Sequence, residues 1–121
     1  MVIYESGEMY LETILVLHEH QDIVRAIDVA NKLKYSKPSV SRAINVLKSK
    51  NLLKVEKNGN LVLMTAGETI ARTIYERHQI ITRYLVEVLG VPNDTAEEDA
   101  CRIEHVISVE TISKIKEYLD K

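Results

Sequence analysis

Ser36-Lys37-Pro38-Ser39-Val40-Ser41-Arg42-Ala43-Ile44-Asn45-Val46-Leu47 is the stretch on which the fold turns. A serine at the cap position, with a proline tolerated in the first turn, opens a helix. Val40, Ala43, Ile44 and Leu47 then recur at helical spacing, and the helix ends near Lys50-Asn51. Its other face offers short polar and basic groups of the kind that meet base edges and phosphates in a major groove. Lys37, Pro38, Ser39, Ser41, Arg42 and Asn45 are the candidate contacts there. Upstream, Ile23 to Leu33 reads as a short helix with Ile27, Ala30 and Leu33 facing inward, and Lys34-Tyr35 makes the turn. Downstream, Leu52 to Glu56 and Leu61 to Met64 flank Lys57-Asn58-Gly59-Asn60, an Asn-Gly hairpin signal. Lys57 and Asn58 at its tip join the candidate DNA contacts. Helix, turn, recognition helix and hairpin in that order is a winged helix-turn-helix.

The charge pattern agrees independently. The net charge of −2 hides −5 over residues 1–22, +7 over 23–77 and −4 over 78–121. A basic middle points to double-stranded DNA as partner, and acidic ends suit a cation.

The remaining chain reads as helices. Residues 7–19 form a first helix, capped by Ser6, with Tyr10, Leu11, Ile14, Leu15 and Leu17 on its apolar side. Thr65 and Glu68 fit a capping box opening a long helix to about Leu89, closed by Gly90 and Pro92. Thr95-Ala96-Glu97-Glu98 fits a second box, and Ser108 caps a last helix striped with Val109, Ile112, Ile115 and Leu119. With no Phe or Trp, the core must come from aliphatic residues, which suits helices on helices. The expected architecture is therefore mainly α: a winged helix-turn-helix domain over residues 1–72, then a helical domain over 73–121. No apolar run approaches the roughly 18 residues of a membrane span, no signal-peptide pattern opens the chain, and one cysteine makes no internal disulfide. The expected compartment is the cytoplasm.

Cys101-Arg102-Ile103-Glu104-His105 carries the chemistry. Positions i, i+3 and i+4 share a helix face, so Cys101, Glu104 and His105 point one way. A thiolate, a carboxylate and an imidazole together suit a transition-metal ion. The bland alternative is a small buried cysteine beside a solvated Glu-His edge.

Taken together, Gly7-Glu8-Met9-Tyr10-Leu11-Glu12, the winged helix, Tyr75-Glu76-Arg77-His78 and Cys101 to His105 resemble the diphtheria toxin repressor family of iron- and manganese-dependent repressors. The resemblance covers nearly the whole chain and implies a homodimer whose second domain binds metal and dimerises. Fe(II) or Mn(II) would act as co-repressor, after which the dimer occupies a palindromic operator before metal-uptake genes. No organic cofactor or membrane partner is expected. Carried over residue by residue, Met9, Cys101, Glu104 and His105 fall at metal-ligand positions. Met9 with Cys101 is similar to the iron-type pairing, which makes Fe(II) the first expectation and Mn(II) the alternative. His78 matches a second-ion histidine and Glu12 a manganese-type ligand. Thr82 stands where iron-type members have a carboxylate, and Glu97 where they have a histidine, so His78, Glu12 and Glu97 remain the candidates for a second ion. The resemblance leads to the expectation of a short member, without the SH3-like tail that follows the dimerisation helices in longer ones.

The mechanism expected is that an ion gathering donors from three helices favours a DNA-competent arrangement by its differential affinity. The rival readings are a winged-helix regulator sensing a small organic ligand, a small metalloenzyme with Glu104 as general base, and a protein-interaction module. An enzyme needs an open coordination position and a cleft, and no special active-site loop is present in the sequence. The interaction module leaves the polar face of the third helix unexplained. The chain is expected not to be an enzyme.

Overall fold

The computed structural model describes residues 5–121, with side-chain surroundings from residue 7 onward. Six helices and one hairpin succeed one another: α1 (Glu5–His18), α2 (Ala26–Leu33), α3 (Lys37–Ser49), β1 (Leu53–Val55), β2 (Leu61–Leu63), α4 (Thr65–Glu87), α5 (Asn93–Ile103) and α6 (Val109–Leu119). The chain divides into two compact units with the boundary between Arg72 and Thr73, inside α4.

In the first unit, α1 packs on α2, α3 and β2, while α3 packs on α2 and β1. Tyr10, Leu11, Ile14 and Leu15 of α1 are buried, as are Val29 and Ala30 of α2, Val40, Ile44 and Leu47 of α3, and Leu53 and Leu61 of the strands. Ser36 caps α3 as its sequence requires: its Oγ accepts from Ser39 N at 3.3 Å, and Pro38 lies in the first turn. The helix closes on Asn51 in the left-handed region (φ 60°), where Leu52 N reaches Leu47 O at 3.0 Å.

The hairpin pairs antiparallel, Leu53 with Leu63, Lys54 with Val62 and Val55 with Leu61. Gly59 supplies the positive φ of its turn, 87°. The segment before α2 is extended against this wing: Leu61 N donates to Val24 O at 2.7 Å, and Val24 N to Asn60 Oδ1 at 2.9 Å. With that pairing the segment stays extended and α2 begins at Ala26. Ile27, expected inward, lies in its first turn and is exposed, and Val29 and Ala30 are the buried pair.

Three expected caps are corrected. α1 already includes Ser6, so that residue does not cap it; the Ser6 side chain lies outside the described residues. α4 starts at Thr65, with Glu68 N donating to Met64 O at 2.8 Å, and the Glu68 carboxylate pairs with Arg72 at 2.9 Å. α5 starts at Asn93 straight after Pro92, whose φ of −55° already suits a helix start, so Thr95 is interior. Gly90 (φ 70°) terminates α4 through its N–H to Val86 O, two residues earlier than expected.

In the second unit, Ile81 of α4, Ala100 of α5 and Ile112 of α6 form the core, with Ile80, Leu85, Ile103 and Ile107 packed around it. Ser108 caps α6, accepting from Thr111 N at 3.1 Å. Val109, assigned to the apolar stripe, is at the first helical position and is exposed. Among the described residues no helix is long and apolar enough to cross a membrane.

Candidate metal centre and nucleic-acid face

Glu104 is the one residue of the Cys101–His105 stretch that the fold buries completely, at 0% exposure. α5 ends at Ile103, and Glu104 is its C-cap in right-handed geometry (φ −57°, ψ −26°), with its N–H still bonded to Ala100 O at 2.9 Å. The i, i+3 relation of Cys101 and Glu104 thus carries through the helix end, but His105 stands in the turn beyond it. Arg77 Nη1 donates to the Glu104 carbonyl at 3.3 Å, satisfying one of the acceptors a helix C-terminus leaves open.

The carboxyl group is half satisfied. Its Oε1 accepts from His78 Nδ1 at 3.0 Å. Oε2 is buried and has no hydrogen-bond partner among the described residues. Leaving such an acceptor dry costs about 1–3 kcal/mol, so this oxygen has the capacity to take a further partner. Ligand atoms of Glu104 and His105 come within 4.8 Å of one another, near enough to meet a common ion. A buried carboxylate oxygen beside an imidazole is the donor chemistry of a divalent transition metal, whereas half-buried Cys101, one turn upstream, is not drawn into the group of ligand atoms within 4.8 Å. The residues present fit such an ion.

His78 also borders a cavity of about 420 Å³ between α4 and α5, shared with Tyr75, Gln79, Thr82 and Glu97. His78 and Glu97, two of the three second-ion candidates, are therefore brought to one cavity, with Glu97 exposed. Thr82 Oγ1 is buried there with no partner among the described residues. Nothing in the sequence signals the pairing of His78 with Glu104, two residues that the family resemblance assigns to different ions.

Met9 and Glu12 lie one turn apart on α1, Met9 half-buried and Glu12 buried. The Tyr35 hydroxyl donates to Met9 Sδ at 3.5 Å, a contact nothing in the sequence pattern signals. Tyr35 in turn meets buried Tyr10 edge-on, centroids 6.0 Å apart. Burial pushes the Tyr10 hydroxyl above the ordinary value of 10.0, and neighbouring Tyr35 raises it further against the lowering effect of Arg42.

On α3, Lys37, Pro38, Ser41, Arg42 and Asn45 are exposed and Ser39 is half-buried, opposite the buried Val40, Ile44 and Leu47. Lys57 and Asn58 are exposed at the wing tip. Arg25, absent from the expected contacts, runs beside them: its Nε donates to Asn58 O at 2.7 Å. The Asp28 carboxylate accepts from Arg25 N at 2.8 Å and fixes it at the start of α2, but no pattern in the sequence marks Arg25 as a contact.

Comparison with known proteins matches both units. A family model described as the iron dependent repressor N-terminal DNA binding domain fits residues 3–61, and one described as its metal binding and dimerisation domain fits residues 65–121. The chain is 36% identical over 104 residues to the iron-dependent repressor IdeR of Mycobacterium leprae, covering 86% of this chain and 45% of that protein. Among solved structures it resembles a manganese-dependent transcriptional repressor in complex with manganese, with TM-score 0.88 and 26% identity over 94% of this chain and 52% of that one. The manganese regulator SloR is similar at TM-score 0.84 and 26% identity, covering 99% of this chain and 55% of the other. The chain spans about half the length of the curated relatives it matches.

Proposed function

The chain belongs to the iron-dependent repressor family, whose two domain models together account for residues 3–61 and 65–121, and from that membership we propose that it is a metal-dependent transcriptional repressor, not an enzyme. It takes a divalent transition metal as co-repressor and then, as a homodimer, a palindromic operator that controls metal-uptake genes. The buried Oε2 of Glu104, without a hydrogen-bond partner among the described residues, is the observation that carries this reading.

Met9, Cys101, Glu104 and His105 are the proposed primary donors, and His78, Glu12 and Glu97 the donors of a second ion. Bound there, the ion would supply a concentrated positive charge. Glu104 contributes a carboxyl oxygen shielded from solvent. His78, bonded to its Oε1, fixes the carboxyl orientation, as outer partners of metal ligands do. Thioether and thiolate donors favour Fe(II) over Mn(II) by softness, which makes Fe(II) our first choice. Mn(II) stays as the second, on the carboxylates Glu12 and Glu104 and on the folds of the manganese-dependent neighbours.

An ion that needs all of these donors favours one arrangement by its differential affinity, typically about 1–3 kcal/mol of coupling. Two protomers then set their α3 helices in successive major grooves roughly 34 Å apart. Lys37, Pro38, Ser39, Ser41 and Asn45 face the groove, and Arg42, Lys57 and Asn58 the flanking backbone. Exposed Leu89, Val106, Val109 and Tyr118 supply apolar surface in the second unit for a subunit contact.

The test is an anaerobic operator titration with Fe(II), Mn(II), Co(II) and no metal, with bound metal assayed in parallel. Affinity should rise at least tenfold with the right ion. Equal affinity in all four conditions defeats the proposal.

A further inference from the structure

We propose that Tyr35 is the positioning residue that holds the Met9 thioether for its metal and ties it to the first turn of α3. The inference rests on the reading of Met9 as a donor and adds a residue outside that ligand set.

A methionine side chain has three rotatable bonds and settles into whatever gap is offered, so as a metal donor it needs something to fix its sulfur. The Tyr35 hydroxyl does so, donating to Met9 Sδ at 3.5 Å. A thioether sulfur carries two lone pairs. One accepts from the phenol, and the other stays available for a cation. The bond is weak, so it orients the sulfur without competing seriously for it.

Tyr35 is itself held. Its ring meets Tyr10 edge-on at 62° and 6.0 Å, and Tyr10 is buried at 5% exposure on the same helix as Met9. Its backbone N–H closes α2 on Ala30 O at 3.1 Å, next to left-handed Lys34. The tyrosine is thus pinned at both ends in the turn of the helix-turn-helix.

The contact gains its meaning from the neighbouring residue, Ser36, which caps α3. Ser36 Oγ donates to Ser39 Oγ at 2.8 Å, and Arg42 Nη2 donates to the same Ser39 oxygen at 3.3 Å. An unbroken line therefore runs from the Met9 sulfur through Tyr35 and Ser36 to Ser39 and Arg42 on the exposed face of α3. All of it lies within the first unit. Fixing the sulfur on a cation fixes the phenol, and with it the entry of the recognition helix.

The test uses the full chain carrying Tyr35→Phe, Met9→Leu or both. Tyr35→Phe keeps the ring against Tyr10 and removes only an exposed hydroxyl, so it folds. Anaerobic Co(II) absorption titration reads metal affinity without DNA. Backbone amide signals of Ser36 and Ser39 on adding Zn(II) read the link to α3. Tyr35→Phe should weaken Co(II) binding about 3- to 10-fold, the scale of one hydrogen bond, and should erase the Zn(II)-induced Ser36 and Ser39 shifts. In the Met9→Leu background it should cost nothing further. If Met9→Leu weakens Co(II) while Tyr35→Phe binds as wild type and keeps the shifts, Tyr35 is a bystander and the Met9 reading survives. If Met9→Leu leaves Co(II) affinity unchanged, Met9 is no donor and the proposal falls with that reading.

Discussion

His78 Nδ1 donates to Glu104 Oε1 across 3.0 Å, joining the middle of α4 to the end of α5, while the second oxygen of the same buried carboxyl is left without a partner among the described residues. That asymmetry separates stability from function. Glu104→Gln keeps the shape and an oxygen for His78 but withdraws the charge. Metal-free stability should change by less than about 1 kcal/mol, because the amide nitrogen takes over the unpartnered position of the oxygen it replaces. The rise in melting temperature that Co(II) gives the wild type should vanish. Thermal unfolding in chelator and in Co(II) decides it: a variant that loses stability in chelator shows Glu104 to be a structural acid.

Gly67 permits an approach that no other residue allows. A Cβ there would lie 2.0 Å from Leu52 O, the oxygen that also accepts from Met64 N at 2.9 Å. The obstacle is main chain at the foot of β1 and cannot rotate away. Gly67→Ala should therefore cost about 3 kcal/mol, the upper end of overpacking penalties. Urea unfolding followed by circular dichroism measures it, and a loss under about 0.5 kcal/mol would mean that the first turn of α4 yields easily.

The α3 helix is legible in the sequence because its signals are local: Ser36, Pro38 and the Val40–Leu47 spacing all lie within about three turns of one helix. The hairpin is legible from Asn58-Gly59, since one dipeptide sets its turn. The caps expected at Thr65 and Thr95 fail because a cap signature says only that a helix can begin there. Met64 O and Pro92 offer earlier starts, and those win. Ile27 is expected inward but is exposed in the first turn of α2, which begins just after the extended pairing of Val24 with Leu61, 37 residues apart. Likewise Cys101, Glu104 and His105 can be singled out by spacing, whereas the His78–Glu104 and Tyr35–Met9 contacts each span 26 residues and leave no periodic trace.

Asn60 staples the wing to the segment before α2. Its Oδ1 accepts from Val24 N and its Nδ2 donates to Glu56 Oε1, both at 2.9 Å. Asn60→Ala leaves the part-buried Val24 N–H without that acceptor, which should cost about 1–2 kcal/mol. The wing tip with Lys57 and Asn58 should fray before the helices melt. Hydrogen exchange at Val24 and Leu61 should accelerate well beyond that at Val40 or Ile44. Uniform acceleration at all four would show that the wing unfolds only with the whole unit.

Tyr10 gives a pH dependence whose sign is set by its burial. Its hydroxyl titrates above the unfolded value of 10.0, so the folded chain holds this proton more tightly than the unfolded one. The associated stability is complete below pH 10 and is lost as pH rises through the folded value. Tyr10→Phe should flatten that part of the alkaline denaturation curve. An unchanged curve would mean that other groups govern alkaline unfolding.

Arg42 separates reading DNA from binding metal. It is exposed on α3, and its hydrogen bond to Ser39 Oγ at 3.3 Å orients the guanidinium over the outer face. Removing a phosphate contact should lower the slope of log affinity against log salt by about 1, whereas removing a base contact should relax the preference at one operator position by about 1–3 kcal/mol. The helix N-terminus and neighbouring Ser39 place Arg42 near backbone, so Arg42→Ala should reduce the salt slope and weaken all duplexes alike. Co(II) affinity should stay at the wild-type value, since none of the proposed donors is altered. Measuring operator and scrambled-duplex binding at several salt concentrations, beside a Co(II) titration, separates the cases: loss confined to the operator makes Arg42 a base reader, and loss of Co(II) binding as well would mean that the first unit has been disrupted.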